Sequence, residues 1–191
     1  PVSLVIKVSS GELSRDELLK QTTDLCSKIK QDLRLWPDNR MYKSEIMIVD
    51  SMSEDEILNL HYSCDCLVNP SYGEGWGFAV QDAIGMGKYV IATNQGGPKD
   101  MVYHSPIGDL IDGQTMPVST VKNTFSGLFT GNENWTAIDI PKLKTAMRNA
   151  YCNLTRDDRF KNECKDWGER RMKDYSYDSV GERLKDIIKN G

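Results

Sequence analysis

"CDCLVNPSYGEGWGFAVQDAIGMGKYVIATNQGGPKDMV" (residues 64–102) reads as strand, glycine loop, helix, strand, glycine pair, helix. The apolar run 66–69 is short and is ended by Pro70, as a strand would be. Gly73, Gly75 and Gly77 then alternate with Tyr72, Glu74 and Trp76, and a helix is expected over 77–86. "KYVIAT" (88–93) is a second buried strand, and Gly96 and Gly97 open another short helix with Pro98 at its first position. Two strand-to-helix turns in one short stretch, both built on glycine, are the repeat of a parallel α/β sheet.

The same alternation extends towards the N-terminus. "VSLVIKV" (2–8) reads as a buried strand, "EIMIV" (45–49) as the next. Between them, residues 14–33 show apolar positions at helical spacing, with Leu18, Leu25, Ile29 and Leu33 on one stripe and Ser14 with Glu17 as a capping box. A second cap, Ser53 with Glu56, starts a helix over 54–62. The fold class is therefore α/β, a doubly wound parallel sheet. Residues 104–136 lose the pattern; "GDLIDG" (108–113) reads there as loop or small hairpin. Three helices follow, about 140–153, 157–172 and 176–189.

Composition bounds the function. At 191 residues, 39% hydrophobic and 27% charged, the chain has the make-up of a globular domain with its own core. The net charge of −4 excludes a broadly basic nucleic-acid surface, and the basic stretch around Arg170 and Arg171 is interspersed with acids, as on a solvated helix face. No apolar run approaches the ~20 residues of a membrane span, so membrane association is not indicated by this segment. Five scattered cysteines, Cys26, Cys64, Cys66, Cys152 and Cys164, are no disulfide framework, and none stands at zinc-ligand spacing. A reducing, cytoplasmic location is the expectation, with the sequons at Asn134 and Asn153 as chance matches.

The glycine loops admit two readings. Ligands of open parallel sheets bind beyond the carboxyl ends of the strands, where helix N-termini offer unpaired N–H groups to phosphate. Glycines there let a ligand approach the backbone, or they let one turn pack tightly on another. Glu74 is either an exposed turn acid or a carboxylate presented to the ligand. Asp82 lies with Gln81 and Gly85 on the narrow polar stripe of an otherwise apolar helix, where it either caps a neighbouring loop or binds hydroxyls in a wet cleft. The spacing G-x-G-x-G excludes the dinucleotide fingerprint, and no P-loop or kinase motif is present.

Residues 64–102 resemble the donor-binding half of GT-B glycosyltransferases of the GT4 type, retaining enzymes that use nucleotide sugars. The matching positions are Asp65, Pro70, Ser71, Gly73, Glu74, Gly75, Trp76, Gly77, Asp82, Gly87, Lys88, Val90, Ile91, Gly96, Gly97 and Asp100. The resemblance implies a Rossmann-like C-terminal domain of the GT-B fold over 1–173, lacking its opening strand. Residues 174–191 would be a C-terminal helix that packs toward a missing N-terminal acceptor domain. It implies Glu74 as the catalytic residue beside the donor sugar and Asp82 as the ribose ligand, one methylene shorter than the family's glutamate. Gly75, Trp76, Gly77 and Phe78 would line the sugar and diphosphate through their backbone, with Gly96 and Gly97 nearby, and Asp50–Ser53 beside the base. The implied partner is a nucleotide diphosphate sugar as donor substrate, with no cofactor and no metal. The implied activity is a metal-independent, hexosyltransferase-like transfer that this chain alone does not perform. The alternative is a non-catalytic sugar-nucleotide-binding module of a larger assembly.

Overall fold

The computed structural model describes residues 2–33, 44–103, 105–118, 129–130 and 132–190. The chain divides into two compact units, Pro1–Glu56 and Ile57–Gly191. In the first, strand β1 (Val5–Lys7) pairs in parallel with β2 (Ile46–Ile48), Ile6 opposite Met47. Helix α1 (Arg15–Asp32) connects them and starts on the predicted capping box: Ser14 accepts from the Glu17 N–H while the Glu17 side chain returns to the Ser14 N–H at 3.0 Å. Its guanidinium at Arg15 binds Asp50 just after β2, and each raises the charged population of the other, holding the Asp50 carboxyl below the usual range. The expected apolar stripe is buried only at Leu18; Leu25, Ile29 and Leu33 are exposed, as are Val2 and Leu4 ahead of β1. A continuous apolar run predicts a strand buried on both faces, and three residues with one partner strand do not supply that cover.

Helix α2 (Glu54–Ser63) carries the boundary between the units and begins on the predicted Ser53–Glu56 cap, with the Ser53 N–H donating to Glu56 at 2.8 Å. The second unit is built on a three-stranded parallel sheet, β3 (Cys66–Asn69), β4 (Tyr89–Thr93) and β5 (Gly108–Ile111), in that spatial order. β4 is central and wholly buried. Its alternate side chains serve two cores: Tyr89 and Ile91 face α5 (Ile140–Arg156) and α6 (Asp158–Asp174), while Val90 and Ala92 face α3 (Phe78–Gly85) and α4 (Gly96–Val102). Helices on both faces of a parallel sheet are the doubly wound arrangement the sequence predicts.

Within 104–136, the structure overturns the loop reading of "GDLIDG". Gly108–Ile111 is the third strand of the parallel sheet, with Ala92 opposite Leu110. The glycine that suggested a turn is there because a Cβ at 108 would lie 2.7 Å from Val102 Cγ1 and 2.9 Å from the Val90 carbonyl. Close packing of α4 over the strand, not turn chemistry, selects it. Gly113–Pro117 forms β6, which pairs antiparallel with β7 (Asn134–Ile138); 119–128 and 131 lie outside the described residues. The sheets are thus β1–β2, β3–β4–β5 and β6–β7 among the described residues. The three C-terminal helices are present, the last, α7, spanning Tyr177–Asn190.

Glycine also sets the approach of α6 to α3. A Cβ at Gly168 would lie 2.1 Å from the Ile84 carbonyl, and one at Gly87 would lie 2.6 Å from Lys165 Cα. Gly85 faces Met172, whose Cγ is 3.2 Å from where a Cβ would be, so the gap left on that side of α3 is filled by a neighbour. Gly181 in α7 has nothing within 4 Å. Two alanine substitutions in helices therefore have opposite outcomes. Gly168→Ala lowers the unfolding free energy by about 1–3 kcal/mol through overpacking, whereas Gly181→Ala raises it by up to about 1 kcal/mol through helix propensity. Urea denaturation of both variants measures the pair, and equal effects would refute the packing assignment.

Candidate functional site

The carboxyl ends of β3, β4 and β5 share one edge of the sheet because the strands are parallel. Both glycine turns leave from that edge. The first, 70–77, leads into α3; the second, 94–96, into α4. Side chains and backbone stitch the edge together. Asn94 Nδ2 donates to Asp112 Oδ1 at 2.8 Å, its N–H donates to the Ile111 carbonyl, and Gln95 Nε2 reaches the Ser71 carbonyl at 3.5 Å.

Contacts at Tyr72, Gly75, Trp76 and Gly77 hold the first loop. Tyr72 stacks on Trp135 of β7 with ring centroids 5.9 Å apart, and its carbonyl accepts from the Thr136 N–H at 3.0 Å. The Gly75 carbonyl accepts from the Gly97 N–H at 2.7 Å. Trp76 presents its ring edge-on to Tyr175, 5.2 Å away, and donates its indole N–H to Gln81. Gly77 has φ 87°, a left-handed value that favours glycine, and abuts the Pro98 ring. The expectation for Trp76 concerned its backbone; the structure gives its side chain a separate, structural place.

What those contacts leave free is the backbone at the start of α3. The N–H groups of Gly75, Trp76, Gly77 and Phe78 have no hydrogen-bond partner among the described residues. Unpaired donors at a helix start carry the positive end of its dipole and suit an anion. Gly75 is open, with nothing within 4 Å of a Cβ position. The side chains of Glu74 and Asp82, both half-buried residues, make no hydrogen bond or ion pair among the described residues. Phe78 is 73% exposed, so the helix expected to be apolar all round buries only Val80, Ala83 and Ile84.

The second turn is placed differently. Pro98 is the third residue of α4, not the first, and Gly96 has φ 58°. Gly96 and Gly97 lie against the carbonyls of Glu74 and Trp76. Seven of the eight sequence-selected positions lie in or beside the two glycine turns, which touch each other, while Asp82 lies in the second turn of α3. Asp50–Ser53 belongs to the first unit. Sequence reading missed Tyr175 and Arg171. Arg171 donates to the Met101 carbonyl at 3.2 Å and to the Asp100 carbonyl, closing the C-terminus of α4, and lies over the Trp167 and Tyr175 rings. The only signal was an arginine in a helix read as solvated.

Burial holds the thiols near β3 protonated: Cys66 is pushed up to about 12 and Cys164 to about 11. Among the described residues no group of three or more His, Cys, Asp or Glu side chains could hold a metal ion, and no helix is long and apolar enough to cross a membrane.

His61 on α2 is partly buried, with the charges of Asp82 and Lys88 acting on it. Burial lowers its pKa below 6.5, Asp82 opposes the shift and Lys88 adds to it. A histidine with a lowered folded-state pKa contributes stability that is present above its unfolded value and is lost as pH falls through the folded value. NMR titration is expected to place His61 below 6.5. Asp82→Asn lowers it further by removing the opposing charge; an unchanged titration in that variant would place the carboxylate away from α2.

Comparison with known proteins gives three findings. The family model described as "Glycosyl transferases group 1" matches residues 27–122. No curated protein matches. Among solved structures, 37 chains match, including the catalytic domain of starch synthase IV from Arabidopsis thaliana bound to ADP and acarbose. That structure is 12% identical with a TM-score of 0.52, covering 98% of this chain and 38% of the other. The likeness shows the fold alone, the Rossmann-like α/β domain of the GT-B architecture. The chain spans 38% of the length of that structure.

Proposed function

We propose, from the premise that this chain belongs to the glycosyl transferases group 1, that it is the donor nucleotide-sugar-binding part of a retaining glycosyltransferase of the GT4 type. One observation carries the reading: four successive unpaired N–H groups, Gly75 to Phe78, open α3 at the carboxyl end of a parallel strand, beside an unpaired glutamate. The structural relative bound to ADP supports a nucleoside diphosphate as the anion.

Breaking the anomeric bond of a nucleotide sugar leaves a cation-like sugar and an anionic diphosphate. Fixed backbone dipoles at Gly75–Phe78 would take the charge that grows on the leaving diphosphate without reorganising. The Glu74 carboxylate would lie at the sugar and favour positive charge near the reacting carbon. Asp82, four residues into the helix beyond Phe78, would bind the ribose hydroxyls, directly or through water. With the diphosphate charge met by N–H dipoles, this reading needs no metal. The sugar is a hexose by family analogy, and the acceptor would be bound by a domain outside residues 1–191.

Two measurements test this. Calorimetric titration of the chain with ADP, UDP and GDP is expected to show binding of at least one, weakened by Asp82→Asn. In the transferase that contains this chain, Glu74→Gln is expected to lower kcat by about 10²–10³-fold, the size of a lost electrostatic contact in the transition state. Unchanged turnover in that variant would remove Glu74 from the mechanism, and nucleotide binding without any transfer would favour a non-catalytic binding module. Residues 1–191 alone are expected to transfer no sugar.

A further inference from the structure

The second glycine turn differs from the first in how its donors are used. Its Gly97 N–H is already spent on the Gly75 carbonyl at 2.7 Å, and Pro98 has no N–H to offer. A Cβ at Gly96 would lie 1.9 Å from the Glu74 carbonyl oxygen, and one at Gly97 would lie 2.1 Å from that of Trp76. The Pro98 ring closes the same contact from the other side, its Cγ 2.9 Å from where a Cβ on Gly77 would be. Four consecutive residues of the first loop, Glu74 to Gly77, thus rest on the first three residues of α4, Gly96 to Pro98, where the second turn enters the helix. From this contact we propose that Gly96, Gly97 and Pro98 are positioning residues: the second turn is a backbone latch that places the Glu74 loop and does not itself contact the donor.

The latch has a rigid anchor. Met101 of α4 is fully buried and Val102 nearly so, and Arg171 holds the far end of the helix through the Asp100 and Met101 carbonyls. The position of Glu74 is therefore referenced, through one backbone hydrogen bond and three steric contacts, to the core on one face of the sheet. No side chain longer than hydrogen fits at 96 or 97 without pushing the loop outward. A displacement of about 1 Å at a reacting group costs on the order of 10²-fold in rate, so the glycines serve geometry rather than anion binding. The inference rests on the donor-binding reading of the Glu74 loop for its catalytic meaning.

Because a Cβ at 97 has no room, the test uses Pro98→Ala, which removes the ring atoms that abut Gly77 and adds one backbone N–H in the first turn of α4. In the ¹⁵N-labelled wild-type chain, NMR exchange is expected to show the Gly97 amide protected while the Gly75 and Phe78 amides exchange freely. Pro98→Ala is expected to speed Gly97 exchange and to move the Glu74–Gly77 amide resonances together. In the full-length transferase the same variant is expected to lower kcat about tenfold and to leave the donor KM within about twofold, the pattern of misplaced chemistry rather than lost binding. A Gly97 amide that exchanges as fast as Gly75, or Glu74–Gly77 resonances unmoved by Pro98→Ala, would overturn the latch. A raised donor KM with unchanged kcat would overturn it too, by putting the turn in contact with the donor. Titration with inorganic pyrophosphate separates the two readings: shifts at Gly75–Phe78 but not at Gly97 are expected. Shifts at neither, with the Gly97 protection intact, would sink the donor-binding reading instead of the latch.

Discussion

The hydrogen bond from the Gly97 N–H to the Gly75 carbonyl joins two turns that leave neighbouring parallel strands. It forms only because residues 96 and 97 carry no side chain and because Gly96 and Gly77 adopt left-handed backbone conformations. Everything at this edge of the sheet follows from that approach. With the carbonyls of 74–76 turned toward α4, the N–H groups of 75–78 are left unpaired at the start of α3. Gly75, Trp76 and Phe78 are exposed and Gly75 borders open space, so these donors face solvent at the sheet edge.

The scaffold beneath is stiff where the site needs it. β4 is covered on both faces, and α3 and α6 touch backbone to backbone at Ile84 and Gly168. Above it, the loop is pinned by aromatic rings rather than by charges: Tyr72 on Trp135, Trp76 on Tyr175, with Arg171 over Tyr175 and on the end of α4. Apolar and backbone contacts can hold a loop without neutralising the carboxylates it carries. The Glu74 side chain accordingly makes no hydrogen bond or ion pair among the described residues, and that of Asp82 in α3 makes none either. Preorganised dipoles and an unspent carboxylate are what electrostatic stabilisation of a charged transition state requires.

Local and global order separate clearly along the chain. The helix starts at Ser14 and Ser53 are legible because a capping box is closed by residues three apart. Burial is not local in this way. Leu25, Ile29 and Leu33 keep helical spacing in α1 yet stay exposed, and in α7 Val180, Leu184, Ile187 and Ile188 do the same. Periodicity states which face could be covered; only packing decides whether it is. The strand at Gly108–Ile111 shows the reverse failure, since its glycine and aspartate read as a turn until β4 pairs with it and α4 crowds Gly108.

By itself the sequence determined the order of strands and helices from 64 to 102, the helix caps, and the placement of two glycine turns at successive strand ends. These depend on neighbours a few residues apart, and short-range sterics and hydrogen bonding settle them. Only the tertiary structure decided what each glycine is for. Gly75 faces open space, whereas Gly77, Gly96 and Gly97 are consumed by the contact between the turns, and Gly87, Gly108 and Gly168 by contacts of helix on helix or helix on strand. A missing Cβ looks the same in sequence whether a ligand or another backbone fills its place; the distance to the nearest atom tells them apart.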